Sequence, residues 1–462
     1  MSKGRIRSFV IFLAVIISFI GFLFRVVLKN NEKEVLTDSW DITVNGKLVY
    51  IGNPSNYKFE TLAKGDVVTL NTTDEVIVTP KQALIISEQF SAVRILFNGE
   101  EVWEFGSDYP KESMVPSAFL EAVLTGDTSK DADVNGAAAD GAHQGIITVE
   151  FTASVNDAFT NIQNFSLVKQ GTLTTQLIRS APQTLVISCF LCLLGLFLIL
   201  LGIFMGWKGG KILSLLGVCS LSSGIWCLGS TKLLQLFSDN FLFNTYADSY
   251  SLYVFIGMFL LLQCVIAKKC TNKKLVWVGT AIYFLYAVIA ILLTSLNVVP
   301  LYFPLQGIGI LEIINEILFF IVYLNDHFRC KSDQVRNQQD KGVQSNEKIL
   351  LFALLVHFAY GILDTLRFNI KTYLLPEGAN VGYTYSQYGL LITIFLLFFA
   401  LMLDATNAAQ FRTEQEVWQR LALSDPLTKL GNRVYAQQLF QELRRKYVES
   451  NEASGYAMLI FD

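Results

Sequence analysis

The last residue of the chain is a carboxylate in a position typical of a metal ligand. Residues 456–461 form an almost wholly apolar run, and Asp462 follows that run directly. The run predicts a buried strand, and α/β folds present acidic side chains at the ends of such strands, where they bind divalent cations. We therefore take Asp462 as a candidate metal ligand.

A second group of ionisable residues lies inside long apolar runs. Glu312 and Glu316 are four residues apart, so a helix would place both on one face, and His357 and Asp364 share a later run. Charged groups at membrane depth are costly and normally point into a helix bundle. Two interpretations stay open: an intramembrane relay formed by these four residues, or protonated and hydrogen-bonded side chains that hold the helices together.

The composition predicts a membrane protein. Of the 462 residues, 52% are hydrophobic and only 16% are charged, and several apolar runs reach the roughly 20 residues that cross a bilayer as a helix. The net charge of −3 gives no electrostatic support for a nucleic-acid partner. No cysteine lies between residues 30 and 180, which excludes a disulfide framework in that stretch.

Eight transmembrane helices are predicted. Residues 1–29 form a basic amino terminus and an apolar run, interpreted as an uncleaved signal anchor; a cleaved signal peptide is the alternative. Seven further runs lie within residues 184–404, at 184–206, 211–230, 249–267, 275–295, 301–325, 347–366 and 386–404. Lys and Arg concentrate in alternate connections, on the side of the amino terminus. We expect a multi-pass protein of the cytoplasmic (inner) membrane with its carboxyl end in the cytoplasm.

Residues 30–180 predict an extracytoplasmic β-sandwich that acts as a sensor. Short runs of alternating apolar and polar residues are separated by turn signals, among them the hairpin dipeptides Asn45-Gly46 and Asn98-Gly99. Strands are expected within residues 40–50, 67–70, 83–86, 93–97 and 146–151. Together with the membrane segments, this pattern predicts a multidomain fold.

Four aromatic residues of this sandwich are candidates for a ligand site. Trp40, Trp103, Phe105 and Tyr109 have side chains that stack on sugar rings. A carbohydrate is therefore one expectation for the extracellular ligand, whose identity is otherwise unknown. The alternative is that these rings belong to the core.

The segment after the last apolar run predicts two helices with a break between them. Residues 405–424 are polar and are interpreted as a signalling helix, with apolar residues spaced as in a short coiled coil between two copies; a simple linker helix is the alternative. Asp425 suits the N-cap of a single turn, and Asn432 can cap the helix that follows.

Residues 425–462 resemble the opening of a GGDEF domain, the diguanylate cyclase family. The family signature D-x-L-T-x-L-x-N-R is matched by Asp425, Leu427, Thr428, Leu430, Asn432 and Arg433. An amphipathic helix and an apolar strand ending in Asp follow, as they do in the family. The upstream part is similar to bacterial seven-transmembrane receptors with diverse intracellular signalling modules, which carry an extracytoplasmic β-sandwich.

The resemblance implies a membrane receptor that controls synthesis of cyclic di-GMP. In the family, two GTP-loaded domains meet as a dimer and join two GTP molecules, with Mg²⁺ or Mn²⁺ neutralising the phosphates. Asp462 matches a metal ligand of the family. The resemblance therefore implies a homodimer that binds GTP and a divalent metal.

Most of the catalytic domain is missing from residues 425–462. The GG[DE][DE]F hairpin of the family would lie beyond position 462, so no catalytic residue is expected within the chain, and we interpret the chain as an inactive fragment of a full-length cyclase. The alternative is a receptor whose degenerate GGDEF domain acts by binding a nucleotide or a partner. A sensor histidine kinase is disfavoured because no His follows His357.

Overall fold

The structure is a computed structural model, and it describes two regions that differ in architecture. The described residues are 34–36, 39–110, 113–124, 143–266, 272–296, 298–301, 303–334, 343–369, 385–425 and 430–450. The predicted signal anchor, the apolar run at 456–461 and Asp462 lie outside them.

The first region is built from antiparallel sheets. Its strands are β1 Glu34–Val35, β2 Trp40–Val44, β3 Lys47–Gly52, β4 Val67–Thr72, β5 Val76–Val78, β6 Gln82–Glu88, β7 Ser91–Phe97, β8 Glu100–Phe105, β9 Ala118–Val123, β10 His143–Gly145, β11 Ile147–Ala153 and β12 Ser166–Lys169. A six-stranded sheet has the order β3-β2-β4-β11-β7-β8, and a four-stranded sheet has the order β1-β12-β6-β9. Strands β10 and β5 form a small third sheet.

Both predicted hairpins are confirmed. Asn45 and Gly46 have φ values of 50° and 80° and connect β2 to β3. Asn98 and Gly99, at 52° and 84°, connect β7 to β8 in the same way. Two successive residues with positive φ match the twist of the flanking strands, and Asn followed by Gly adopts this conformation at little steric cost.

The two larger sheets share one apolar core, as in a β-sandwich. On β11, the side chains of Ile147, Val149 and Phe151 are buried, and the residues between them are more exposed. The same buried cluster contains Trp40 from the six-stranded sheet and Leu84 from the four-stranded sheet. The alternation of apolar and polar residues therefore predicted the inward faces correctly.

The second region is helical. Its helices are α1 Leu173–Ser180, α2 Pro182–Phe204, α3 Gly206–Ser230, α4 Phe241–Ile266, α5 Lys273–Ser295, α6 Phe303–Gln334, α7 Val343–Asn369, α8 Tyr385–Leu423 and α9 Arg433–Ser450. Each of the seven apolar runs predicted between residues 184 and 404 falls mainly within one of the helices α2 to α8.

Five helical segments of the described chain are long and apolar enough to cross a membrane. They are Pro182–Phe204, Gly210–Ser230, Phe241–Val265, Lys273–Ser295 and Phe303–Asn325. Helices α7 and α8 contain the shorter apolar segments Phe352–Leu363 and Gln387–Ala400. Large apolar side chains are exposed on the outside of these helices, for example Leu193, Phe204, Val278, Leu285 and Ile321. Length, composition and surface are consistent with a multi-pass membrane protein.

Helices α2 and α3 pack with their backbones in close approach. A Cβ atom on Gly195 of α2 would lie 2.6 Å from the backbone nitrogen of Leu221, and one on Gly217 of α3 would lie 2.8 Å from the carbonyl oxygen of Gly195. Ser220 Oγ donates a hydrogen bond of 2.7 Å to the carbonyl of Leu191 across the same interface. Small residues at helix contacts allow such tight packing within membranes.

One predicted boundary differs from the structure. Residues 173–180, predicted as part of the sandwich, form the helix α1, because one side of this segment is apolar and Leu177 packs in a buried cluster with Leu185 and Leu233. The polar stretch predicted to run out of the last membrane helix as a signalling helix does continue that helix, since α8 extends to Leu423 without a break.

Candidate functional site

An acid–imidazole pair connects α6 to α7. Oε1 of Glu312 lies 3.9 Å from Nε2 of His357, and the two side chains are 28% and 13% exposed, respectively. A carboxylate and an imidazolium at this separation attract each other more strongly in a poorly solvated site than in water. The structure therefore brings together two of the four residues predicted as a relay.

Glu316 lies on the same helix as Glu312 but has a different partner. Its Oε1 accepts a hydrogen bond of 2.7 Å from Nε2 of Gln263, on α4. The two residues are 3% and 0% exposed. Among the described residues, Glu316 Oε2 and Gln263 Oε1 have no hydrogen-bond partner. A buried polar pair thus links α4 to α6.

Aromatic rings surround the imidazole of His357. Its ring centroid lies 4.3 Å from that of Phe259 and 6.0 Å from that of Phe255, both on α4. Phe358 makes a neighbouring ring contact with Phe320 of α6 at 5.5 Å. Helix α7 packs chiefly along α8. The ring contacts of His357 and Phe358 therefore attach the α7–α8 pair to α4 and α6.

The side chains of two other predicted site residues, Asp364 of the relay and the metal ligand Asp462, are not described by the structure. Asp364 belongs to α7, but its side chain lies outside the described residues, as does all of Asp462. Within the described part of the chain, no group of three or more His, Cys, Asp or Glu side chains is arranged to hold a metal ion. The metal site predicted at Asp462 stays a prediction.

The sandwich contacts the helical region at the connection between α3 and α4. Lys232 has a φ of 61° and precedes the short 3₁₀ helix Leu233–Leu236. Its Nζ donates a hydrogen bond of 3.1 Å to the carbonyl of Ala118 on β9 and one of 3.3 Å to Oγ of Ser87 on β6. One ammonium group therefore joins two adjacent strands of the four-stranded sheet to the helices.

Further contacts extend this junction, which comprises the α3–α4 connection and the ends of β6 and β9. The side-chain amide of Gln235 pairs with both backbone groups of Phe119. In the orientation that satisfies these groups, its oxygen accepts from the N–H of Phe119 at 3.1 Å and its nitrogen donates to the carbonyl of Phe119 at 3.2 Å. The ring of Phe119 packs in a buried cluster with Leu233 and Leu234. The junction thus combines hydrogen bonds with an apolar contact.

A second contact lies at the edge of the six-stranded sheet. The ring of Phe105 on β8 meets that of Phe241, the first residue of α4, at 5.6 Å in an edge-to-face arrangement. Leu301, which precedes α6, is 3% exposed and belongs to the same buried cluster as the sandwich core. The sandwich and the helical region therefore contact each other at both larger sheets.

The four aromatic candidates for a sugar site separate into two groups. Trp40 is fully buried and lies 4.8 Å from Phe165 between ring centroids, so it is a core residue and cannot stack on a ligand from outside. Trp103, Phe105 and Tyr109 form a row of rings with centroids 6.4 Å apart. A carbohydrate site at this row stays a prediction.

The predicted break between the two carboxyl-terminal helices is present. Backbone N–H of Asp425 donates to the carbonyl of Leu430 at 2.8 Å, which closes a loop. Oδ1 of Asn432 accepts from the N–H of Tyr435 at 3.1 Å, and its Nδ2 donates to the carbonyl of Ala422 at 2.6 Å. Asn432 therefore caps α9, as predicted, and also ties α9 to the end of α8.

The other signature residues are described incompletely. Arg433 begins α9 and is exposed, whereas Leu427 and Thr428 lie outside the described residues. The loop and cap are general features of two connected helices, so they do not by themselves identify a GGDEF domain.

Comparison with known proteins assigns no family. No protein-family model matches the chain, and no curated protein matches it.

Sequence analysis missed Gln263 and the junction residues. A single amide within the run Leu-Leu-Leu-Gln-Cys-Val-Ile was a usable signal, because an uncharged polar side chain at membrane depth normally has a partner. Lys232 was considered only as a loop charge, and nothing local in the sequence connects it with Ala118, which is 114 positions away.

Proposed function

We propose that the chain is the receptor part of a ligand-controlled diguanylate cyclase. In this proposal, the sandwich lies outside the cytoplasmic membrane and binds the ligand, eight helices cross the membrane, and residues 425–462 begin a cytoplasmic GGDEF domain. Two copies would bring their GGDEF domains together, since each active site of this family is formed between two domains.

The observation that carries this proposal is the continuity of α8. The helix begins at Tyr385, contains the apolar segment Gln387–Ala400 and ends at Leu423, two residues before Asp425 of the signature. A displacement of its apolar half would therefore reach the signature through one hydrogen-bonded helix. Thr184 of α2 donates to Oε1 of Gln387 at 3.0 Å, so α8 is also joined to α2, the first long apolar helix after the sandwich.

The junction supports the sensory half of the proposal. Lys232 and Gln235 contact the ends of β6 and β9, so a ligand that shifts these strands would act directly on the α3–α4 connection. The distribution of Lys and Arg supports the orientation, with the amino terminus and residues 425–462 on the cytoplasmic side.

The reading frame that follows codon 462 provides the first test. We expect it to encode the guanine-binding residues and a GG[DE][DE]F hairpin within a few dozen residues. A frame that encodes a GGDEF-like domain without these acidic residues would instead support the receptor with a degenerate domain.

The activity of the whole protein provides the second test. Membranes that contain the product of the complete frame should convert GTP to cyclic di-GMP when Mg²⁺ is present. Asp462→Asn should lower this activity at least about 100-fold, because removal of a metal ligand exceeds the 10–100-fold effect of residues that only orient one. The control Glu414→Gln, at an exposed position of α8, should retain it. Full activity in Asp462→Asn would contradict the assigned role.

A further inference from the structure

Two oxygens of the buried pair Glu316 and Gln263 have no hydrogen-bond donor in the part of the chain that the structure describes. Glu316 Oε1 is satisfied by Gln263 Nε2, but Glu316 Oε2 and Gln263 Oε1 have no donor among the described residues. Both oxygens belong to side chains with less than 4% exposure, so bulk water does not replace the missing donor. A buried acceptor without a partner is destabilising, and more so when it is charged.

We propose that Glu316 and Gln263 form a proton-binding site inside the helical region, with the proton on Glu316 Oε2. A neutral carboxylic acid carries one donor, and a primary amide offers one acceptor and two donors. The proton on Oε2 donates to Gln263 Oε1, while Gln263 Nε2 donates to Glu316 Oε1. The two side chains then form a ring with two hydrogen bonds, and both unsatisfied oxygens acquire a partner.

The neighbouring titratable groups give this proton a structural consequence. Glu312 lies one helical turn from Glu316 on α6, and His357 of α7 lies opposite Glu312. The hydroxyl group of Tyr283, on α5, donates a hydrogen bond to the carbonyl of Tyr253 on α4. The side chain of Asp364 lies outside the described residues.

Loss of the proton would change the contact between α6 and α7. An ionised Glu316 would place a second carboxylate close to the pair formed by Glu312 and His357. The two carboxylates would then compete for one imidazole, which attaches α7, and through it α8, to the rest of the helices. Proton occupancy at Glu316 is therefore coupled to the position of the α7–α8 pair, whatever domain follows α8.

Infrared spectroscopy of the full chain in lipid nanodiscs tests the site directly. A protonated carboxylic acid has a carbonyl stretching band that is separate from the carboxylate bands. Near neutral pH the unmodified protein should show this band, which should disappear as the pH is raised. Glu316→Gln, which keeps the size and the hydrogen bonds of the side chain, should remove it. Glu414→Gln, at an exposed site, should leave it unchanged.

A second variant tests the hydrogen-bond partner and does not depend on how Glu316→Gln folds. In Gln263→Leu the acid loses both hydrogen bonds, so its carbonyl band should move to higher frequency. The proposal is wrong if the unmodified protein has no acid band, if the band persists in Glu316→Gln, or if Gln263→Leu leaves its frequency unchanged.

A bound cation is the competing occupant, and the same measurement separates it from a proton. If Na⁺ joined Glu316 Oε2 to Gln263 Oε1, the acid band would be absent in Na⁺ buffer and would appear when a bulky organic cation replaced Na⁺. That outcome would overturn the proposal. None of these readouts requires cyclase activity, so they are independent of the proposed function.

Discussion

At the scale of single residues, Asp66 organises the turn that connects the sandwich strands. Its Oδ1 accepts from Nδ2 of Asn45 at 2.9 Å, and its Oδ2 accepts from the N–H of Ala63 at 2.7 Å. Asn45 in turn accepts from the N–H of Val67 at 2.9 Å. These hydrogen bonds favour the carboxylate and hold the pKa of Asp66 below its usual range.

The lowered pKa of Asp66 predicts how the sandwich responds to acid. Because the pKa is lower in the folded state, the carboxylate contributes stability above its ordinary pKa of about 3.9, and this contribution is lost as the pH falls through the folded value. Asp66→Asn should therefore be less stable than the unmodified protein near neutral pH, with a difference that shrinks in acid. Urea unfolding followed by tryptophan fluorescence measures both effects.

The exposed Asp74 offers a matched control for this prediction. Asp74→Asn should leave the unfolding midpoint close to that of the unmodified protein. A constant difference between Asp66→Asn and the unmodified protein at every pH would contradict the proposed role of the charge.

Among single residues, those with local partners were predictable and those with distant partners were not. Asn45 and Asn432 were identified from the sequence because a hairpin turn and a helix cap involve neighbouring backbone groups. Glu316 was recognised as unusual, but its partner Gln263 lies 53 positions away on another helix. A sequence pattern shows that a buried carboxyl group needs a partner, and only the packing of the helices shows which one.

At the scale of elements, the contact between α2 and α3 depends on glycine. Gly217→Ala should destabilise the helical region by about 1–3 kcal/mol, because the added Cβ would lie 2.8 Å from the carbonyl of Gly195 and two rigid backbones would have to separate. Thermal unfolding of the full chain in nanodiscs measures this loss.

Gly309 of α6 gives the matched comparison. A Cβ at this position meets nothing within 4 Å among the described residues, so Gly309→Ala should stabilise the helix slightly, by up to about 1 kcal/mol. An equal effect of the two substitutions would show that close approach does not control the response to a methyl group.

Elements were predicted more accurately than their ends. The apolar runs located the helices α2 to α8, but they do not show where a helix stops, because caps and packing decide its ends. Helix α8 continues through residues 405–423 because nothing in that stretch breaks a helix, as expected for a polar stretch that runs out of the last membrane helix.

At the scale of the whole molecule, Lys232 is a charged contact between the sandwich and the helices. Lys232→Met retains much of the aliphatic stem but removes the donors to Ala118 and Ser87. This loss should lower the free energy that protects the junction amides from hydrogen exchange by about 1.5–3 kcal/mol, the usual contribution of hydrogen bonds to a charged group. Hydrogen exchange of the backbone amides at the start of β9 and in Leu233–Leu236 measures the change.

Lys47→Met, on the exposed edge strand β3, is the control for the same change of side chain. It should leave exchange at the junction unaffected. Unchanged exchange in Lys232→Met would mean that the remaining contacts, such as those of Gln235 and Phe119, hold the junction together without the ammonium group.

The length of α8 fixes the geometric relation between its two ends. Its 39 residues extend about 58 Å at roughly 1.5 Å per residue, nearly twice the roughly 30 Å of a bilayer's hydrocarbon core. An unbroken helix resists torsion, so a rotation imposed near Gln387 arrives at Leu423 with its angle preserved. Asn432 then fixes the direction in which α9 leaves. The number of residues in α8 sets the angle, around the helix axis, between the directions in which its two ends face. Adding or deleting one residue would therefore turn α9 by about 100° around that axis.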